Sequence, residues 1–295
     1  MKDSFSDCHP AAGFLYFLIV ISFTMIFMHP VIIACSLFGA AAYSVCLNGK
    51  RAVKFNLTLL PLVALVALIN PLFNHAGATM LFSLPDGNPV TLESIIYGVN
   101  SAFMFLTVII WFSCFNAVMT SDKIMVLFGK IIPTMSLVLC MVFRLVPKFK
   151  TQIKMISDAQ KCIGRDVSNG TLIQKIKHGV TIFSILITWA FENAIETGDS
   201  MKSRGYGHSG RTAYSDYRMN TRDVWFLVVF TVLAAVVIVC AAAFGIRADF
   251  FPSFNLNSAK LQNVPAYLSA FILFVFPFML NLRERAVWSQ LKSKI

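Results

Sequence analysis

From Phe14 to Leu47 the chain carries no acidic or basic residue other than histidine, and a single proline, Pro30, interrupts it. A bilayer's hydrocarbon core is about 30 Å thick and takes about 20 apolar residues per helical crossing. No water reaches that core to satisfy backbone groups, so such a run must cross as helix. The stretch is long enough for two crossings with a break at His29-Pro30, because proline removes a ladder bond and clashes with the preceding turn. A single crossing there would send the N-terminus to the other side. Four further runs follow: Leu57–Leu72, Val99–Met119, Val224–Phe244 and Ala266–Leu282. The run Ile131–Phe143 is shorter and predicts a buried or interfacial helix. A second apolar run follows the first at once with no cleavage pattern between them, so the first reads as a retained helix instead of a signal peptide.

The expected fold is therefore all-α, a polytopic membrane helix bundle of about six spans. Composition agrees: 57% of the 295 residues are hydrophobic and 13% charged, against about 25% charged in an average soluble domain. Six spans place both termini on one side. Of the 25 Lys and Arg residues, all but Arg247 and Lys260 then fall on the side that carries Lys50, Arg51, the stretch from Lys123 to Arg222, and the tail. The positive-inside rule makes that side cytoplasmic. Three sections result: 1–120 with the N-terminal spans, 121–223 as a long cytoplasmic section, and 224–295 with the last spans and a basic tail. The seven cysteines form no C-x-x-C pair and read as small buried hydrophobes.

The central section keeps apolar residues at helical spacing. Phe149, Ile153, Ile156 and Ile163 suit one face of a first helix, and Ile176, Val180, Phe183 and Ile187 one face of a second that starts at Gly170-Thr171. The second ends in Lys202, Arg204 and Gly205, a basic last turn with a glycine cap. A basic amphipathic section on the inner face of a membrane suits either anionic lipid or an acidic protein partner; nucleic acid is not expected.

The spans offer little chemistry. None contains Asp, Glu, Lys or Arg, which argues against a proton relay, an ion path or intramembrane hydrolysis. His29, beside Pro30, reads as a hydrogen-bonded turn residue, and His9, His75, His178 and His208 are scattered. No G-x-x-x-x-G-K-[ST] loop occurs. The cluster Gly205-Tyr206-Gly207-His208-Ser209-Gly210 follows a helix and lacks a lysine, so it reads as a turn. No catalytic residue, metal site or cofactor is expected. The small faces Ala40–Ala42 with Ser44, and Ala234, Ala235 and Ala241–Ala243, permit close helix approach in lipid, either within the bundle or toward a membrane partner.

Several segments in order resemble the transmembrane T component of energy-coupling factor transporters (the CbiQ/EcfT-like family). Asn70-Pro71-Leu72-Phe73 is similar to the motif ending an early span. Thr91-Leu92-Glu93-Ser94 with Tyr97-Gly98 resembles the entry to the next. Pro133 and Arg144-Leu145-Val146-Pro147 resemble the segment before the first coupling helix, with Pro71, Arg144 and Pro147 in structural roles. Ala159-Gln160-Lys161 resembles the lead-in to the first coupling motif, and Met201-Lys202-Ser203-Arg204-Gly205-Tyr206-Gly207 the second. The resemblance implies a non-catalytic subunit in a bacterial cell membrane. Two cytoplasmic coupling helices would cross, and the arginine of an Ala-Arg-Gly type motif ending each would seat in one of two ABC-type ATPases. The membrane part would hold a substrate-binding S component that imports a vitamin or metal ion, with ATP bound by the partner subunits.

Two departures stand out. Ser203 replaces the usual alanine before Arg204. In the first motif the triplet becomes Cys162-Ile163-Gly164, with Arg165 one residue beyond; either Arg165 takes over the contact or this docking site is apolar. Two other classes compete: a membrane-bound enzyme using Glu192, Glu196 and Asp199 in the central section as metal ligands, and a stand-alone channel or carrier.

Overall fold

The computed structural model describes residues 5–83, 89–129, 133–165, 170–206, 217, 219–246, 248–252, 255–256 and 263–292. In chain order the helices are α1 (Pro10–Ile26), α2 (Pro30–Asn48), α3 (Lys50–Thr58), α4 (Leu60–Phe73), α5 (Leu92–Val118), α6 (Ser121–Gly129), α7 (Pro133–Cys162), α8 (Leu172–Ser203), α9 (Thr221–Phe244) and α10 (Val264–Lys292). Two small antiparallel pairs join them: β1 (Met80–Ser83) with β2 (Pro89–Thr91), and β3 (Ala248–Asp249) with β4 (Asn255–Leu256). The chain folds as two compact units, Met1–Ile124 with Tyr217–Ile295, and Met125–Asp216.

The first unit is the membrane bundle. By length and composition, five helical stretches can cross a membrane: α2, α3 with α4, α5, α9 and α10; α1, at 17 residues, is a shorter apolar helix. The run Phe14–Leu47 is thus two helices, and chemistry at their starts explains the break. Each begins with a His-Pro pair. Val31 N–H donates to His29 Nδ1 (3.3 Å) and Ala11 N–H to His9 Nδ1 (3.2 Å), while Pro10 and Pro30 occupy first-turn positions where no N–H is needed. His29 is buried, burial pushes its pKa down, and its Nε2 lies 3.4 Å from Tyr267 OH. The turn role expected for His29 holds; His9 does the same work and its position beside Pro10 was the available signal.

Hydrogen bonds between helices tie the bundle's interior. Trp111 Nε1 donates to Ser36 Oγ (2.9 Å), which also meets Thr24 Oγ1 at 2.8 Å. Tyr16 OH donates to Leu273 O (3.1 Å) and Asn100 Nδ2 to Met28 O (3.1 Å). Such bonds are worth about 0.6 kcal/mol each on average in a membrane protein. Around them Phe5, Tyr16, Phe17, Tyr43, Trp111 and Phe230 pack edge to face or tilted, with Tyr16 and Phe230 centroids 5.0 Å apart. Phe5 precedes α1 yet is 1% exposed. Lys123 holds its neighbourhood: buried, its Nζ donates to Ser6 Oγ (3.0 Å), to Ser6 O and to Val118 O (2.8 Å) at the C-terminal end of α5. Arg222 N–H reaches Cys8 Sγ at 3.7 Å. The starts of α1 and α9 and the end of α5 therefore share one end of the bundle, and the α1–α2 turn lies at the other.

The helices carry more charge at their ends than the apolar runs alone do. Glu93, in the first turn of α5, is buried. Its carboxylate accepts from Thr79 N–H (3.3 Å) and Thr79 Oγ1. Thr91 Oγ1 receives Ser94 N–H (3.3 Å) as the α5 cap and donates to Ala76 O (2.7 Å). These bonds account for Thr91-Leu92-Glu93-Ser94. Pro71, the buried residue of α4, lies where α4 and α5 meet: a Cβ on Gly98 would stand 2.9 Å from Ala67 O and 3.4 Å from Pro71 Cδ. Of the small faces, Ala40, Ser44 and Ala234 are buried inside the bundle, while Ala235, Ala242 and Ala243 are exposed. Cys8 and Cys114 are buried as expected of small hydrophobes, but Cys140 and Cys162 are exposed, because α7 leaves those faces uncovered.

The tightest helix approach is at Gly39, where an added Cβ would lie 2.6 Å from Phe274 O of α10. Gly39→Ala should destabilise by about 1–3 kcal/mol through overpacking. Gly179→Ala, in the open on α8, should be neutral or gain up to about 1 kcal/mol of helix propensity. Thermal unfolding of the purified protein checks both, and equal midpoints would refute the close approach.

Candidate functional site

The second unit is dominated by α7 and α8. Phe149 and Trp189 meet with ring centroids 5.8 Å apart, and Ile156 and Ile182 are its buried apolar residues. The N-terminal half of α7 and the last turns of α8 line a shared groove of about 620 Å³, with Leu137, Met141, Arg144 and Lys148 facing Glu196, Met201 and Arg204. The helices thus run antiparallel, so their C-terminal ends point opposite ways. At 1.5 Å per residue each end lies about 20 Å from the Phe149–Trp189 contact.

Both ends close with the same backbone motif. At the end of α8, Arg204 is the cap residue and Gly205 takes φ 74°. Gly205 N–H donates to Lys202 O (2.9 Å) and Tyr206 N–H to Met201 O (3.1 Å). At the end of α7, Gly164 takes φ 77°, its N–H donates to Lys161 O (3.0 Å), and Arg165 N–H donates to Gln160 O (2.9 Å). This paired bonding is the Schellman closure, in which a left-handed glycine turns the chain and satisfies the last carbonyls. Position for position, Ile163 corresponds to Arg204, Gly164 to Gly205 and Arg165 to Tyr206.

Cys162, Ile163, Gly164 and Arg165 are all exposed, as are Ser203 and Arg204, while Gly205 is half-buried. Ser203 Oγ donates back to Asp199 O (2.9 Å), so the serine in the alanine position is absorbed within the helix. Tyr206 and Met201 both line the groove, the apolar pairing that commonly accompanies this closure. The final residue of that motif, Gly207, and the cluster from Gly207 to Gly210 lie outside the described residues.

Other expectations need correction. Arg144-Leu145-Val146-Pro147 lies inside α7, which runs unbroken for 30 residues; Pro147 removes one rung without ending the helix. Arg144 and Pro147 are exposed, and Arg144 lines the groove. The apolar face through Ile176, Val180, Phe183 and Ile187 lies on α8 as read from the spacing, and it is left largely uncovered. Leu172, Ile176, Val180, Phe183, Phe191 and Ile195 are each more than half exposed. The periodicity was real, but it marks a stripe left uncovered, and Ile182, off that stripe, makes the buried contact. The expected α7 face divides likewise: Ile156 is buried, Ile153 and Ile163 are exposed. Glu192, Glu196 and Asp199 are exposed on α8, and among the described residues no three His, Cys, Asp or Glu side chains gather as metal ligands. Sequence reading missed Met201 and Asn193 as groove residues; Met201 opens the quoted motif, while Asn193 left no signal.

The positive φ at Gly205 gives a direct test. A β-branched residue there meets a left-handed conformation costing roughly 1–2 kcal/mol. Gly205→Val should speed amide exchange at Gly205 and Tyr206, and Gly205→Asn should do so less. Gly198→Ala, in open space within α8, should leave exchange at those amides unchanged.

Residues 4–214 match the family CbiQ, cobalt transport protein. The chain is 34% identical over 103 residues to the energy-coupling factor transporter transmembrane protein EcfT of Lactococcus lactis subsp. cremoris (strain MG1363), covering 34% of this chain and 39% of that protein. It is 29% identical over 158 residues to the protein of the same name from Lactobacillus helveticus (strain DPC 4571), covering 48% and 57%. With that of Macrococcus caseolyticus (strain JCSC5402) it shares 25% identity over 189 residues, covering 60% and 68%. In the first two alignments the chain thus spans less than two thirds of its relative's length.

Proposed function

The chain belongs to the CbiQ family of cobalt transport proteins, and from that premise we propose that it is the T component of an energy-coupling factor importer. In this reading it is a non-catalytic scaffold. It binds two ABC-type ATPases at the ends of α7 and α8, grips a membrane-embedded S component, and passes ATP-driven motion from one to the other for uptake of a vitamin or metal ion. ATP is bound by the partner subunits. The observation that carries the reading is the pair of matching helix ends, alike in backbone geometry, each about 20 Å from the helix contact and pointing opposite ways, as docking to two similar soluble subunits requires. The exposed apolar stripe of α8 supports an S component as a further partner, since so much apolar surface calls for an apolar cover. The distribution of Lys and Arg supports a cytoplasmic position for 121–223.

Arg204 is exposed at a helix end that Gly205 turns away, so its guanidinium can enter a groove and fork onto carboxylates or carbonyls. Losing one partner of a buried charge pair costs about 2–5 kcal/mol, roughly 30-fold or more in affinity. Arg204→Ala should therefore loosen one ATPase, and Arg204→Glu should do worse. Lysine should rescue in part, keeping the charge without the planar fork. ATPase co-purification together with ATP-dependent uptake is the assay; wild-type assembly and uptake by Arg204→Glu would overturn the coupling role.

Topology has its own test. Single cysteines at Asp86, which lies outside the described residues, and at Lys177 should differ toward an impermeant thiol reagent on intact cells. The Asp86 position should label and the Lys177 position should not; the reverse pattern would invert the membrane orientation.

A further inference from the structure

We propose that the end of α7 docks through Ile163 in an apolar socket on its ATPase, unlike the site that receives Arg204, and that Arg165 does not replace the absent arginine. The proposal rests on the coupling reading above and deepens it at one of the two contacts.

The argument is positional. The matched closures put Ile163 at the cap position that Arg204 holds on α8, one residue before the left-handed glycine. Arg165 comes after the reversal at Gly164, where its counterpart is Tyr206. Tyr206 and Arg204 both line the groove of their own helix pair, on either side of the left-handed glycine. The left-handed turn at Gly164 lies between the two residues, so Arg165 does not occupy the cap position that an arginine matching Arg204 would hold.

Ile163 is 68% exposed, and a lone exposed aliphatic residue is ordinary on a protein surface. Its position makes it informative. A cation in the last turn would be favoured by the helix dipole, and the closure here is made wholly by backbone groups, so nothing local calls for isoleucine. Its neighbours Cys162 and Gly164 are also uncharged and exposed, giving the tip an apolar point, with exposed Lys161 and Arg165 on either side. The matching surface is an apolar socket with an acidic or carbonyl-lined rim. The rim charges would govern salt dependence and association rate more than the strength of the seated contact.

The test uses the complete complex purified from native membranes, reading ATPase recovered per T component and ATP-dependent uptake. Ile163→Asp and Ile163→Arg should lower ATPase recovery and uptake, by about 10-fold or more for the loss of a buried aliphatic contact. Ile163→Leu should retain both. Arg165→Ala should keep assembly at low salt. Both side chains are exposed, so membrane insertion and the thermal midpoint should not change. Wild-type assembly and uptake by Ile163→Arg would overturn the apolar socket, as would a loss in Arg165→Ala equal to that in Ile163→Asp. Arg204→Glu separates the two levels. If it too behaves as wild type, the coupling reading has failed; if it alone loses assembly, only the socket has.

Discussion

Hydrocarbon offers no hydrogen-bond partner, and the membrane unit is organised by that lack. Several interior polar groups find one another: Ser36 holds Trp111 and Thr24, Tyr16 finds Leu273 O, and Asn100 finds Met28 O. Without a hydrophobic drive between helices in lipid, close packing and such bonds must hold the bundle together. Gly39 against Phe274 and Gly98 against Ala67 supply the approach, and the ring cluster around Tyr16 fills the core. These polar side chains are engaged in cohesion, whereas Asn70 Oδ1 and Asn263 Oδ1 are buried without a hydrogen-bond partner among the described residues.

The unit of α7 and α8 is built on a different principle. It buries little of its own, Ile156 and Ile182 above all, and keeps a long apolar stripe uncovered. Elements with few buried contacts open and shift at low free-energy cost. What is well defined is local: two helices of 30 and 32 residues, each closed by the same hydrogen-bonded turn. Long helices with fixed ends suit the proposed coupling role, in which displacement passes from one partner to another.

Much of this was legible in the residues. Apolar run lengths located the spans, and Pro30 marked the break between α1 and α2, because proline fits a first turn and not a helix interior. Thr171 and Gly205 marked the start and end of α8 through capping chemistry that is local in sequence. Less legible were features that depend on distant segments. Nothing near Lys123 announces that it will be buried against Ser6, and nothing near Phe5 that it will sit among rings from α1, α2 and α9. The resemblance placed Arg144-Leu145-Val146-Pro147 before the first coupling helix, yet α7 runs through it. The apolar periodicities of the central section placed residues on helix faces, but periodicity reports only that a face is apolar, whatever comes to cover it.

By itself the sequence determined the class of fold, the placement of its spans and the chemistry of its helix ends, because each follows from interactions among residues near one another in the chain: run length against bilayer thickness, proline against the helix ladder, glycine against a left-handed turn. Tertiary structure alone decided which face of α8 stays uncovered, which alanines pack within the bundle, and that the ends of α7 and α8 point opposite ways. It also decided the correspondence of Ile163 with Arg204 and of Arg165 with Tyr206. Those outcomes depend on the path of the backbone and on which helices meet, and neither is fixed by residues near one another in the chain.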